Sequence, residues 1–162
     1  MNDINQQFEQ LAPAPRTEIR TGPAVLQILP RLDQRGQRGT VDLARHLVER
    51  GWRALIASSG GAGEAELAKC GARSLRLPLD SSNPLTIRAN IRRLQRVIRD
   101  RDIRLVHAHS RAPAWSAWYA TRRSKVPFVT TIHGLYGQGY GILKRRYNAV
   151  MARGDRVIAV SD

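Results

Sequence analysis

Short apolar, β-branched runs alternate with stretches of helical periodicity along most of the chain. Residues 24–29, Ala-Val-Leu-Gln-Ile-Leu, read as a first strand stopped by Pro30. A loop over 31–39 leads to a helix over about 40–50, with Val41, Ala44, Leu47 and Val48 on one face and Gly51 at its end. Residues 52–57 give a second strand, 64–69 a short helix and 74–79 a third strand. Turn and cap residues from Asp80 to Pro84 precede a long helix to about residue 101, whose buried stripe is Ile87, Ile91, Leu94, Val97 and Ile98. Residues 103–106 form a fourth strand, and Pro113 opens a helix with Trp115, Trp118 and Tyr119 on one core-facing side. A fifth strand over 128–132 lies between Pro127 and Gly134, followed by a glycine-rich loop, a helix over 142–153 and a last strand over 156–160. In that last helix Leu143, Tyr147, Val150 and Met151 point inward. Six alternations with continuously apolar strands predict an α/β, Rossmann-like fold, a doubly wound parallel sheet covered on both faces.

Length adds that 162 residues make one domain, large enough to bury roughly 70% of its unfolded surface. Residues 1–22 are polar, contain Pro13 and Pro15, and read as a disordered or loosely attached arm before a domain over 23–162. Cys70 is the only cysteine, which excludes an internal disulfide, suits a reducing cytoplasm and leaves that side chain as small apolar filler. No apolar run approaches the roughly 20 residues of a membrane span, and no signal-peptide core is present, so a soluble cytoplasmic chain is expected.

The formal net charge of +14, with lysine only at Lys69, Lys125 and Lys144, calls for an anionic partner without choosing among them. Arg88, Arg92, Arg96 and Arg99 line one side of the long helix. No nucleic-acid motif accompanies this stripe, so it reads as a solvated face and nucleic acid is the disfavoured alternative. A wider set, Arg92, Arg93, Arg96, Arg122, Arg123, Lys144, Arg145 and Arg146, suits peripheral contact with an anionic membrane at its inner face.

Ligands of open parallel sheets bind beyond the carboxyl ends of the strands, and three loops there carry polar groups. Gly36, Gly39 and Thr40 form a glycine loop before a helix, where bare N–H groups favour phosphate or carboxylate; a plain flexible turn fits the same residues. His107 and His109 stand two apart, with Ser110 and Arg111 next. A metal pair lacks a third ligand at the usual spacing, so one histidine is expected to pack and the other to face the crevice. His133 and Gly134 end the fifth strand, where a titratable ring is placed for chemistry and a glycine admits close approach.

Val-Leu-Gln-Ile-Leu-Pro with its glycine loop and Gly-Thr-Val-Asp-Leu-Ala, then Leu-Val-His-Ala-His-Ser-Arg-Ala-Pro-Ala-Trp, Val-Thr-Thr-Ile-His-Gly and Arg-Val-Ile-Ala-Val-Ser follow in this order. Together, over residues 24–161, they resemble the N-terminal domain of family 4 glycosyltransferases of the GT-B fold. The resemblance implies a retaining transfer of sugar from a nucleotide-sugar to a glycan or lipid-linked acceptor, as in lipopolysaccharide or other cell-envelope synthesis. It implies His133 as the catalytic residue reaching the transferred sugar and its phosphate. It implies Gly36, Gly39, Thr40, His109, Ser110, Arg111 and Gly134 as substrate-binding, with no metal and no cofactor. The loop Arg35-Gly36-Gln37-Arg38-Gly39 is shorter than the Gly-Gly-x-Glu-Arg-Gly of relatives and lacks its glutamate. The resemblance also implies a C-terminal, donor-binding domain beyond this sequence, so that the chain alone is a truncated, inactive half which a separate C-terminal half would complete.

Overall fold

The computed structural model describes residues 22–33, 38–134 and 141–160. The expectations for residues 1–21 and for Gly36 lie outside them. Along the described chain run β1 (Ala24–Ile28), α1 (Arg38–Glu49), β2 (Arg53–Ser58), α2 (Glu64–Lys69), β3 (Arg73–Arg76), α3 (Pro84–Asp100) and β4 (Ile103–Ala108). They are followed by α4 (Arg111–Ser124), β5 (Phe128–Ile132), α5 (Ile142–Asn148), a 3-10 turn (Ala149–Ala152) and β6 (Arg156–Ala159).

The strands form one six-stranded sheet in the order β3-β2-β1-β4-β5-β6, and every neighbouring pair is parallel. Parallel neighbours need crossovers, which the intervening helices supply, and the order reverses between β1 and β4. Strand alternation divides the apolar residues between two layers. Ala24, Leu26 and Ile28 of β1 join Leu94, Val97 and Ile98 of α3 and Ala114, Ala117 and Ala120 of α4 in one core. Ala54 and Ile56 of β2 join Val41, Ala44 and Val48 of α1 and Leu67 of α2 in the other.

Three local departures from the sequence expectations have physical causes. β3 is an edge strand that pairs only with β2 and stops at Arg76; beyond it Leu77 N–H still bonds the Ser58 carbonyl, and Leu77 and Leu79 enter the core from a turn. The aromatic residues of α4 flank the core instead of filling it: Trp115 and Trp118 are half-buried and Tyr119 is exposed. The buried positions of α4 are Pro113, Ala114, Ser116, Ala117, Ala120 and Thr121, small side chains that let the helix approach closely and turn the large rings outward. Tyr147, expected inward, is exposed, whereas Val150 and Met151 are buried in the 3-10 turn.

Candidate active site

The reversal of strand order sets a crevice above β1 and β4. The ladder pairs Gln27 with His107 and His107 with Val129, so Gln27 and His107 share a face of the sheet. Period-two alternation adds His109, Thr131 and His133 to that face. All five of these polar groups meet in two linked contacts.

The first is a relay that begins on the backbone. Gln27 Nε2 donates to the Thr40 carbonyl at 3.3 Å, which turns its Oε1 toward His109 Nε2, 3.0 Å away. An amide oxygen only accepts, so His109 carries its proton on Nε2. Its bare Nδ1 then accepts from His133 Nε2–H across 3.3 Å, and His133 is held with Nδ1 as the ring's remaining lone pair. His109 is half-buried, while His133 is exposed. The Gln27 bond also ties the first turn of α1 to the crevice, so the helix brings its positive end alongside.

The second contact is buried. His107 Nε2 meets Thr131 Oγ1 at 2.6 Å, and its ring packs 4.1 Å from that of His109. Burial pushes His107 down to about 4, assisted by the charge of His133. Burial pushes His109 lower, to about 3, with His107 and His133 adding to the effect. Of the two histidines spaced two apart, His107 is therefore the one that packs, and His109 joins the relay.

These depressed values make a prediction about stability. Both rings ordinarily titrate near 6.5, so below that pH the unfolded chain takes up protons that the fold refuses. Stability is complete above pH 6.5 and falls as pH drops toward 4 and 3, at about 1.4 kcal/mol per pH unit for each ring. Urea titrations at pH 7 and pH 5 should differ by about 2 kcal/mol from His107 alone, and the difference should shrink in His107→Gln. A flat profile in the native chain would refute neutral burial of these rings.

The other residues expected at the site are placed as follows. Thr40 is buried and serves through its carbonyl. Gly39 lies in the first turn of α1 and Gly134 just after β5; a Cβ on either meets nothing within 4 Å. Ser110 is the cap residue of α4, its carbonyl accepting from Ala114 N–H at 3.0 Å. Arg111 is turned to α5, where Nη1 donates to Asn148 Oδ1 at 2.8 Å and the guanidinium lies over the Tyr147 ring. Gln27 was missed by the sequence reading, although a lone amide in an otherwise apolar central strand is a detectable signal. Among the described residues no three His, Cys, Asp or Glu stand close enough to share a metal ion.

A doubly wound parallel sheet with a polar relay at its switch point defines a Rossmann-like domain, and comparison with known proteins narrows the class. A family model described as Glycosyltransferase Family 4 matches residues 36–162, so the chain belongs to that family. A solved glycosyltransferase from Rickettsia africae ESF-5 is 35% identical, with a TM-score of 0.73 over 87% of this chain and 37% of that one. MurG of Acinetobacter baumannii is 12% identical, with a TM-score of 0.65 over 86% of this chain and 42% of that one. Sucrose-phosphate synthase of Thermosynechococcus elongatus is 16% identical, with a TM-score of 0.63 and the same two coverages, 86% and 42%. The fold is that of the N-terminal lobe of a GT-B glycosyltransferase, and the chain spans well under half the length of these structures. No curated protein matches it. No described helix is long and apolar enough to cross a membrane.

Proposed function

We propose that this domain forms the acceptor side of a sugar-transfer site, with His133 beside the transferred sugar and its diphosphate. A retaining reaction breaks the anomeric bond to the nucleotide diphosphate and forms a bond from an acceptor hydroxyl on the same face of the ring. The hydroxyl proton leaves with the departing phosphate oxygen. The observation that carries this reading is the relay from Gln27 through His109 to His133, at the switch point of a family 4 fold. His109 stays neutral to about pH 3, so it accepts from His133 without competing for its proton. A proton taken up on His133 Nδ1 makes the ring a cationic donor to a phosphate oxygen while Nε2 stays bonded to His109.

The first turn of α1, with Gly39 and Thr40, has backbone N–H groups that lack a partner within the helix, a setting suited to an anionic group of donor or acceptor. The nucleotide-sugar is held mainly by a second domain, in the same polypeptide or supplied as a separate C-terminal half, and the acceptor is a glycan or lipid-linked saccharide of the cell envelope. The resemblance of the ordered segments to family 4 enzymes supports these finer assignments. The test joins this domain to a family 4 donor-binding domain, or mixes the two, and follows sugar transfer from nucleotide-sugars by mass spectrometry, with the product's anomeric configuration read by NMR. Retained configuration is expected; absence of transfer with every donor and partner domain, or inversion, would sink the proposal.

A further inference from the structure

At the amino edge of the sheet, opposite the histidine relay, β4 and β5 begin beside the carboxyl ends of α3 and α4. These four elements bound an open cleft of about 760 Å³, a size that suits a small organic ligand. Ile98, Ile103, Val126 and Pro127 supply its apolar lining. Gln95 of α3 lines it too, and the Gln95 side-chain nitrogen is buried with no hydrogen-bond partner, the only such side-chain atom among the described residues. A buried amide without an acceptor is costly, and this one borders a space that a ligand's oxygen can enter.

The remainder of the lining is cationic. Arg99, Arg104, Arg123 and Lys125 border the cleft, with Asp102 as its one acid. Arg104 is paired with Asp102, and Arg99 with Asp100 just beyond. Among the described residues Arg123 and Lys125 have no carboxylate partner. The carboxyl ends of the two helices carry roughly half a negative charge each, which leaves about one positive charge in excess. Lys125 caps α4 with φ +53°, a left-handed conformation that favours glycine. Asp102, at φ +47°, is the other described non-glycine residue with positive φ, and it borders the same cleft.

We propose that this cleft binds a small organic phosphate of about nucleotide size, away from the sugar-transfer crevice. Phosphate oxygens accept from Arg123 and Lys125, a further ligand oxygen accepts from Gln95 Nε2–H, and the organic part covers the apolar lining. Phosphate suits the site better than carboxylate, because its three free oxygens can meet separate donors.

The test reads binding alone and needs no sugar transfer. Nitrogen–proton NMR of the full chain follows the Gln95 side-chain amide and the backbone amides of Ile103 and Val126 during titration with pyrophosphate, ADP and adenosine. ADP and pyrophosphate should move these signals, ADP at lower concentration, and adenosine should not. Arg123→Gln/Lys125→Gln should weaken ADP binding about tenfold, whereas Arg50→Gln/Lys69→Gln, away from the cleft, should bind as the native chain does. Gln95→Met keeps the length of the side chain without its amide. It should weaken ADP binding about fivefold yet raise the urea midpoint of the free chain, because the orphan donor is gone. Unmoved signals at Gln95, shifts confined to His109 and His133, full affinity in Arg123→Gln/Lys125→Gln, or a lower urea midpoint in Gln95→Met would each overturn the proposal.

Discussion

His133→Ala, made in this domain once a donor-binding domain completes it, lowers the turnover number of sugar transfer by about 10²–10³-fold, the usual cost of removing a positioned proton donor. The acceptor KM should change little, because the ring acts on charge that develops as the diphosphate leaves. The fold should survive, since His133 is exposed and its ring reaches the half-buried His109 by a single hydrogen bond at the edge of the crevice; thermal melting checks this. Gln27→Leu separates positioning from chemistry. It removes the acceptor of His109 Nε2–H, frees the choice of tautomer and should lower turnover about tenfold, a loss of about 1.4 kcal/mol. Long-range nitrogen–proton NMR of the imidazoles should find His109 and His133 protonated on Nε2 in the native chain and His109 mixed in the leucine variant. A native His133 protonated on Nδ1, or full turnover in His133→Ala, would rule out the relay as drawn.

The second large effect is expected in a loop outside the histidine relay. Gly61, in the loop after β2, has φ +151°, and a Cβ there would lie 2.2 Å from the Leu32 carbonyl oxygen and 2.5 Å from its carbon. Neither atom can give way. Leu32 N–H bonds the Gly60 carbonyl at 2.9 Å, and the Leu32 carbonyl accepts from Gly63 N–H at 3.0 Å, lacing the loops after β1 and β2 together. Gly61→Ala should therefore cost about 3 kcal/mol or more, read as a lower urea midpoint with an unchanged slope. Gly39→Ala, in the first turn of α1 with open space at the Cβ, should be neutral or gain about 0.5–1 kcal/mol. Equal midpoints for the two variants would contradict the close approach at Gly61.

How much of this was legible in the sequence differs by element. The sheet was, because β-branched runs such as Phe128–Ile132 and the helical stripe of α3 each have a single period that nothing else satisfies. The position of His109 and His133 at the carboxyl edge of the sheet was, because each follows an apolar strand whose end the sequence marks. Gln27 was not, since its meaning depends on His109, 82 positions away, and on the carbonyl of Thr40. The placement of Trp115 and Trp118 was misread for a different reason. Spacing says that residues share a face, but size decides which face is buried, and α4 buries its alanines.

The strand order carries a further implication for how this domain can be divided. Gln27 belongs to the half-sheet β1 to β3, and His107, His109, Thr131 and His133 belong to the half-sheet β4 to β6. The only crossover between those halves runs through α3. Neither half keeps the relay: one holds a glutamine without its histidine partner, and the other holds histidines without the amide that His109 Nε2–H donates to. Recombination or domain grafting that cuts within α3 separates Gln27 from the histidines it bonds, whereas a cut before β1 or after β6 keeps the relay whole.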